Sequence, residues 1–125
     1  MPSITEPKNL GDLLKYEAPN LYSRDRVTIA SGQTLALWTV VGVVTATSKL
    51  KALDPAATDG TEIARGVIAN DVDAALADRD DGLLIARHAL VARSALVWPS
   101  GITAELKAVA EAQLRAIGIL VRDAA

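Results

Sequence analysis

Residues able to do chemistry are few and scattered in this chain of 125 residues. His88 is the only histidine and cysteine is absent, so disulfides and thiolate chemistry are excluded and a histidine-based metal site has no second imidazole. A nucleophile–base pair would have to match His88 with Ser3, Ser23, Ser31, Ser48, Ser94 or Ser100. None of these serines lies in the nucleophile-elbow context that such a pair uses. Asp78-Arg79-Asp80-Asp81-Gly82 gathers carboxylates, but it lacks the regular ligand spacing and terminal bidentate Glu of a calcium loop, and it reads as a charged hairpin turn. Asn70-Asp71-Val72-Asp73 pairs carboxylates without a base, a nucleophile or a glycine-rich phosphate loop. The expectation is a protein with no catalytic residues, no metal site and no cofactor. His88 is then a polar side chain on a mixed strand, bonded to backbone or facing a neighbouring subunit.

Composition restricts the partners. Half the residues are apolar, yet 3% are aromatic and none is Phe, so the core must be built from Ala, Val, Leu and Ile. Small side chains each bury little area, and at roughly 25 cal/mol per Å² of apolar surface they stabilise a lone monomer modestly, which favours an assembly. A net charge of −2 lacks the clustered basic face of a nucleic-acid binder. The longest apolar candidate for a membrane span, Leu35 to Ala46, is broken by Trp38, Thr39, Gly42 and Thr45. The opening MPSITEPKNLGDLLKYEAPN places acids and prolines where a secretion leader has a basic start and an apolar centre, so no export is expected. Charge is unevenly spread: residues 54 to 81 hold eight acids against Arg65 and Arg79, whereas 82 to 122 are net basic. Such segments suit head-to-tail docking between copies or orientation against a charged shell, or else they are solvated loops.

The elements that must position these residues are mostly strands. Residues 1–26 mix Pro2, Pro7, Pro19, Gly11 and Asn20 with scattered charge and read as a flexible arm, with apolar clusters at Leu13-Leu14 and Leu21-Tyr22. Residues 27–125 read as one β-rich domain. Arg26 to Ala30, a turn at Ser31-Gly32-Gln33, and Thr34 to Val41 form a hairpin pattern, and Gly42 to Thr47 and Lys49 to Leu53 extend it. Asp54-Pro55 and Asp59-Gly60 mark turns before a strand from Ile63 to Ala69, which ends at the turn pair Asn70-Asp71. Gly82 to Ala92 reads as one strand, apolar on both faces and therefore central or at a subunit interface. One helix is predicted between Thr103 and Ile117, with Thr103 as N-cap, Glu111 and Arg115 as an i,i+4 pair, and Gly118 as its end. Leu106, Val109, Ala110, Leu114 and Ile117 form its inward stripe, and Ile119-Leu120-Val121 closes the chain as a strand. Trp38 and Trp98 are the largest packing anchors, Trp98 pinning the corner before Pro99 or serving an interface. The fold class is mainly β (α+β), with one C-terminal helix.

Three segments in this order, LKALDPAATDGTEIARGVIANDVDA at 50–74, RHALVARSALVWP at 87–99 and GILVR at 118–122, resemble the head decoration proteins of lambda-like bacteriophages. The sharpest element is Leu96-Val97-Trp98-Pro99 before a short helix, followed by Gly66-Val67-Ile68 after an acidic turn. The resemblance covers residues 27 to 122 as an order of elements. It implies a non-enzymatic virion protein on the outer surface of the phage head, made in the host cytoplasm. Such proteins bind the major capsid protein of the expanded head as homotrimers and cement it against the pressure of packaged DNA. It also implies that the N-terminal arm attaches to the capsid by strand addition, making Leu13, Leu14, Tyr16, Leu21 and Tyr22 candidate contacts. Arg87 and Arg93, facing the acidic segment of a neighbour, are the candidate trimer contacts, with Trp98 a packing or interface residue. No nucleic acid and no membrane is expected as a partner. The alternative readings are a free-standing β-rich ligand-binding module, which four aromatics serve poorly, an adaptor of another phage-like particle, and, weakest, a small hydrolase using His88.

Overall fold

A computed structural model of the chain describes residues 14–17 and 24–123. Strands β1 (Leu14–Glu17), β2 (Arg24–Ile29), β3 (Gln33–Leu35), β4 (Val40–Val43), β5 (Leu50–Ala52), β6 (Gly66–Ile68), β7 (Val72–Ala74), β8 (Arg79–Ile85) and β9 (Ala89–Ala92) precede helix α1 (Ala104–Ala116) and strand β10 (Ile119–Arg122). A single turn of 3₁₀ helix at Arg93–Ala95 follows β9. Strands β2, β5, β4, β6 and β8 close into a small barrel, β3 pairs with β7, and β9 is the centre of a three-stranded sheet between β1 and β10.

Alternation along the strands produces two cores. Val41, Ile68 and Leu84 join Ile29, Leu50 and Val72 in one buried cluster, while their neighbours Val40, Val67 and Ile85 join Trp38, Val91, Leu114 and Ile119 in another. Successive side chains on a strand point to opposite faces, so β4, β6 and β8 each supply both clusters. With no Phe available, this doubling lets short aliphatic strands be buried on both sides. Gly42 lets the loop at Thr61 lie close against β4, because a Cβ there would lie 2.6 Å from the Thr61 backbone.

Pairing departs from the hairpin pattern. Gly32 does turn the chain, at φ +89°, but β2 lies antiparallel to β8 and parallel to β5, and β3 lies against β7. A turn signal is local, whereas the partner is chosen by which face is buried. The expected strand from Thr34 to Val41 is interrupted at Trp38, whose φ of 76° is unusual for so large a residue. That geometry is held by its N–H donating to the Ile68 carbonyl at 2.8 Å, its carbonyl accepting from Val97 N–H at 2.9 Å, and a ring that is 1% exposed.

The expected strand from Gly82 to Ala92 is likewise two strands, broken at His88 with φ 49°. Asp80 and Asp81 are not a hairpin tip, because β8 begins at Arg79 and runs beside β2. The strand expected from Ile63 shortens to Gly66–Ile68.

Helix α1 begins as expected, the Thr103 hydroxyl accepting from Leu106 N–H at 3.2 Å, and ends at Gly118 with φ +85°. Its inward face is narrower than the stripe. Ala110 and Leu114 are buried, whereas Leu106 and Val109 are 41% and 52% exposed. Glu111 pairs with Arg93 rather than with Arg115, since Arg93 offers a two-pronged guanidinium from the 3₁₀ turn.

Candidate functional site

The clustered carboxylates of residues 54–78 are turn-builders. Asp54 accepts from Ala56 N–H at 3.1 Å, Asp71 from Leu37 N–H at 2.8 Å, and Asp73 from Ala75 N–H at 3.1 Å. Asp59 accepts from both the Thr61 hydroxyl at 2.6 Å and its N–H at 3.1 Å, and these bonds, with Lys51 nearby, hold its pKa below the ordinary value. Asp78 is held low in the same way, first by its bond from Lys49 and then by Ser31 N–H at 2.8 Å. A carboxylate engaged with backbone donors is stabilised in its charged form and is a poor proton acceptor. Among the described residues, no group of three or more His, Asp or Glu is arranged to hold a metal ion, and no helix is long and apolar enough to cross a membrane.

The residues expected to contact partners fall into two places. Leu13, Leu21 and Tyr22 lie outside the described residues. Leu14 and Tyr16 belong to β1, in register with Val91 and Leu90 of β9 and shifted by a bulge between them. Because β1 is the outer strand of its sheet, its far edge faces no strand among the described residues. Such an edge is a template for a further strand.

Arg87 grips Asp25 with two bonds of 3.0 and 2.5 Å, tying the end of β8 to β2. Arg93 holds Glu111 at 3.0 and 3.2 Å and also Asp123, and these carboxylates, Glu111 first, raise its pKa. Trp98 is half-buried against the Trp38 cluster. The corner it occupies is fixed by main-chain bonds, Val97 N–H to Trp38 carbonyl at 2.9 Å and Val40 N–H to Val97 carbonyl at 3.1 Å.

A cleft of about 980 Å³ opens between the start of β2, the end of β8 and the C-terminal end of α1. Arg65, Arg87 and Arg115 stand on its walls with Asp25 and His88, over a floor that includes Leu84 and Ile117. Arg65 comes from the loop before β6 and Arg115 from the last turn of α1, 50 positions apart, and no sequence spacing links them. His88 can sit there because Gly118 faces it; a Cβ on Gly118 would lie 2.6 Å from the imidazole Cδ2. The imidazole is exposed and bordered by arginines.

Comparison with known proteins gives one family. Residues 3–119 match the family model of bacteriophage lambda head decoration protein D. No curated protein matches the chain.

Proposed function

The chain belongs to the bacteriophage lambda head decoration protein D family and so has a phage capsid decoration role, and from that premise we propose how it acts. It binds the outside of the expanded head as homotrimers and cements the shell against packaged DNA. The carrying observation is the family match over residues 3–119, which takes in the arm as well as the β-rich domain. Asp54, Asp59, Asp71, Asp73 and Asp78 serve turns and main-chain contacts of the β-rich domain.

The mechanism is thermodynamic. A ligand that binds the expanded lattice better than the unexpanded one stabilises the expanded state by that difference in affinity. Three arms on one trimer raise the effect, because binding of the first presents the others at high effective concentration. Residues 1–26 form the attaching arm. Its strand β1 lies at a sheet edge, where a shell strand adds through main-chain hydrogen bonds and alternating side chains set the register. Leu13, Leu14, Tyr16, Leu21 and Tyr22 are the proposed arm contacts. Arg87 and Arg93 are the proposed trimer contacts, each reaching a neighbour's carboxylates while keeping its own. The protein is made in the host cytoplasm, needs no cofactor and turns over no substrate.

Deleting residues 1–20 is the test. The truncated protein is expected to unfold as a folded domain with a cooperative transition, yet to bind heads of its source phage at least ~tenfold more weakly, since a lost strand-addition contact removes several main-chain hydrogen bonds. Equal affinity of the truncated and full chains would remove the arm from the mechanism.

A further inference from the structure

We propose that the cleft between Arg65 and Arg115 is a second attachment point, receiving an acidic, partly apolar segment of the shell protein beside the arm. The inference rests on the decoration reading above and names the chemistry of the partner surface. Among the described residues Arg65, Arg87 and Arg115 line the cleft with one carboxylate, Asp25; Arg87 already holds Asp25 and is the proposed trimer contact, which leaves Arg65 and Arg115 to face the shell. Arg65 and Arg115 are exposed, and their guanidinium groups, unlike their main chains, make no hydrogen bond or ion pair among the described residues. In a chain whose acids outnumber its bases, 15 to 13, this is a local surplus of positive charge. The cleft is also more than a charged rim, because Leu84 is buried in its floor and Ile117 half-buried. Planar guanidinium forks over an apolar floor fit a peptide that brings carboxylates and one or two aliphatic side chains.

Its position selects the shell as the source of that peptide. β1 ends at the Glu17–Ala89 pair, and β2 begins at the Arg24–Ile85 pair. The cleft residues Ala86, Arg87 and His88 lie between those two registers, at the root of the proposed arm. A shell subunit that holds the arm therefore lies against the cleft. The acidic stretch of the same chain is at the opposite end of β8, around Asp78 and Asp81, a strand of seven residues away, roughly 20 Å at ~3.3 Å per residue. A nucleic acid is the weaker fit, since Asp25 stands in the cleft and the whole chain carries a net charge of −2.

The experiment is head binding by the full-length protein carrying Arg65→Glu and Arg115→Glu together, across a range of salt. Lys107→Glu, on α1 outside the cleft, is the control. The double variant is expected to bind expanded heads about tenfold or more weakly at low ionic strength, with the gap narrowing as salt rises, while its thermal midpoint and self-association match wild type. Poly-L-glutamate is expected to compete with wild type for heads. If the charge reversal lowers the thermal midpoint, Arg65→Gln with Arg115→Gln repeats the measurement without adding charge. Unchanged head affinity of the double variant overturns the inference while leaving the decoration reading intact. Loss of self-association with head affinity retained per trimer also overturns it, placing a second copy in the cleft. Binding of duplex DNA that the variant abolishes overturns it in favour of a phosphate ligand. Failure of wild type to bind heads at all is the failure of the decoration reading itself.

Discussion

Trp38 shows how single residues hold this fold. It occupies a left-handed backbone conformation at a cost on the order of 1–3 kcal/mol, and its buried ring and two main-chain bonds offset that cost. Trp38→Ala is expected to destabilise by about 3–5 kcal/mol, as for a fully buried aromatic, and half-buried Trp98→Ala by clearly less. Urea unfolding of both variants checks the order; equal losses would mean that Trp98 anchors the corner as strongly as Trp38. Both tryptophans were legible in the sequence as anchors, because no other side chain in a Phe-free chain has their volume. The difference between them was not legible, since it depends on Val97 bridging to Thr39 and leaving Trp98 at the rim. The same limit applies to the cleft. His88 was visible as a lone imidazole, but Arg65 and Arg115 come together only through the closure of the barrel and the docking of α1.

At the scale of elements, α1 separates pattern from packing. Its cap, its span and its glycine end follow directly from Thr103, the apolar spacing and Gly118. Its burial does not, because the helix meets the domain along Ala110 and Leu114 and leaves its first two turns over solvent. Leu114→Ala should therefore cost about 2–5 kcal/mol and Leu106→Ala under ~1 kcal/mol. Comparable costs in denaturant titrations would show the whole stripe to be packed. The strands tell a similar story. Turns at Asp54-Pro55, Asp59-Gly60 and Asn70-Asp71 were readable from local preferences, whereas the pairing of β2 with β8 joins residues more than fifty positions apart.

Acid sensitivity belongs to these turns as well. Asp59 and Asp78 have folded pKa values below the ordinary 3.8, so the unfolded chain binds protons first and stability rises with pH through that window. Their contribution is fully present above the ordinary value and is lost as pH falls through the folded values. The thermal midpoint should thus decline as the pH falls from about 5 through and below the ordinary carboxylate value, and Asp78→Asn should flatten part of the decline. An unaltered profile in that variant would take Asp78 out of the linkage.

For the whole molecule, the proposed function turns on affinity for one state of a shell. A small domain with aliphatic cores, an edge strand at β1 and a cleft lined by arginines offers surfaces to a partner, and membership of the decoration protein D family implies that the partner is the phage capsid. A family match of this extent follows an order of turns, strands and one helix that is visible in the primary structure, which is why the likeness was readable before any coordinates. What the order of elements does not carry is the attachment geometry, because that is a property of two surfaces and only one is encoded here. The direct measurement is co-sedimentation of the purified protein with expanded and with unexpanded heads of its source phage. Saturable binding to expanded heads, in multiples of three, with little or none to unexpanded heads, is the predicted result. Equal binding to both forms would contradict it, since a ligand without preference between two states stabilises neither.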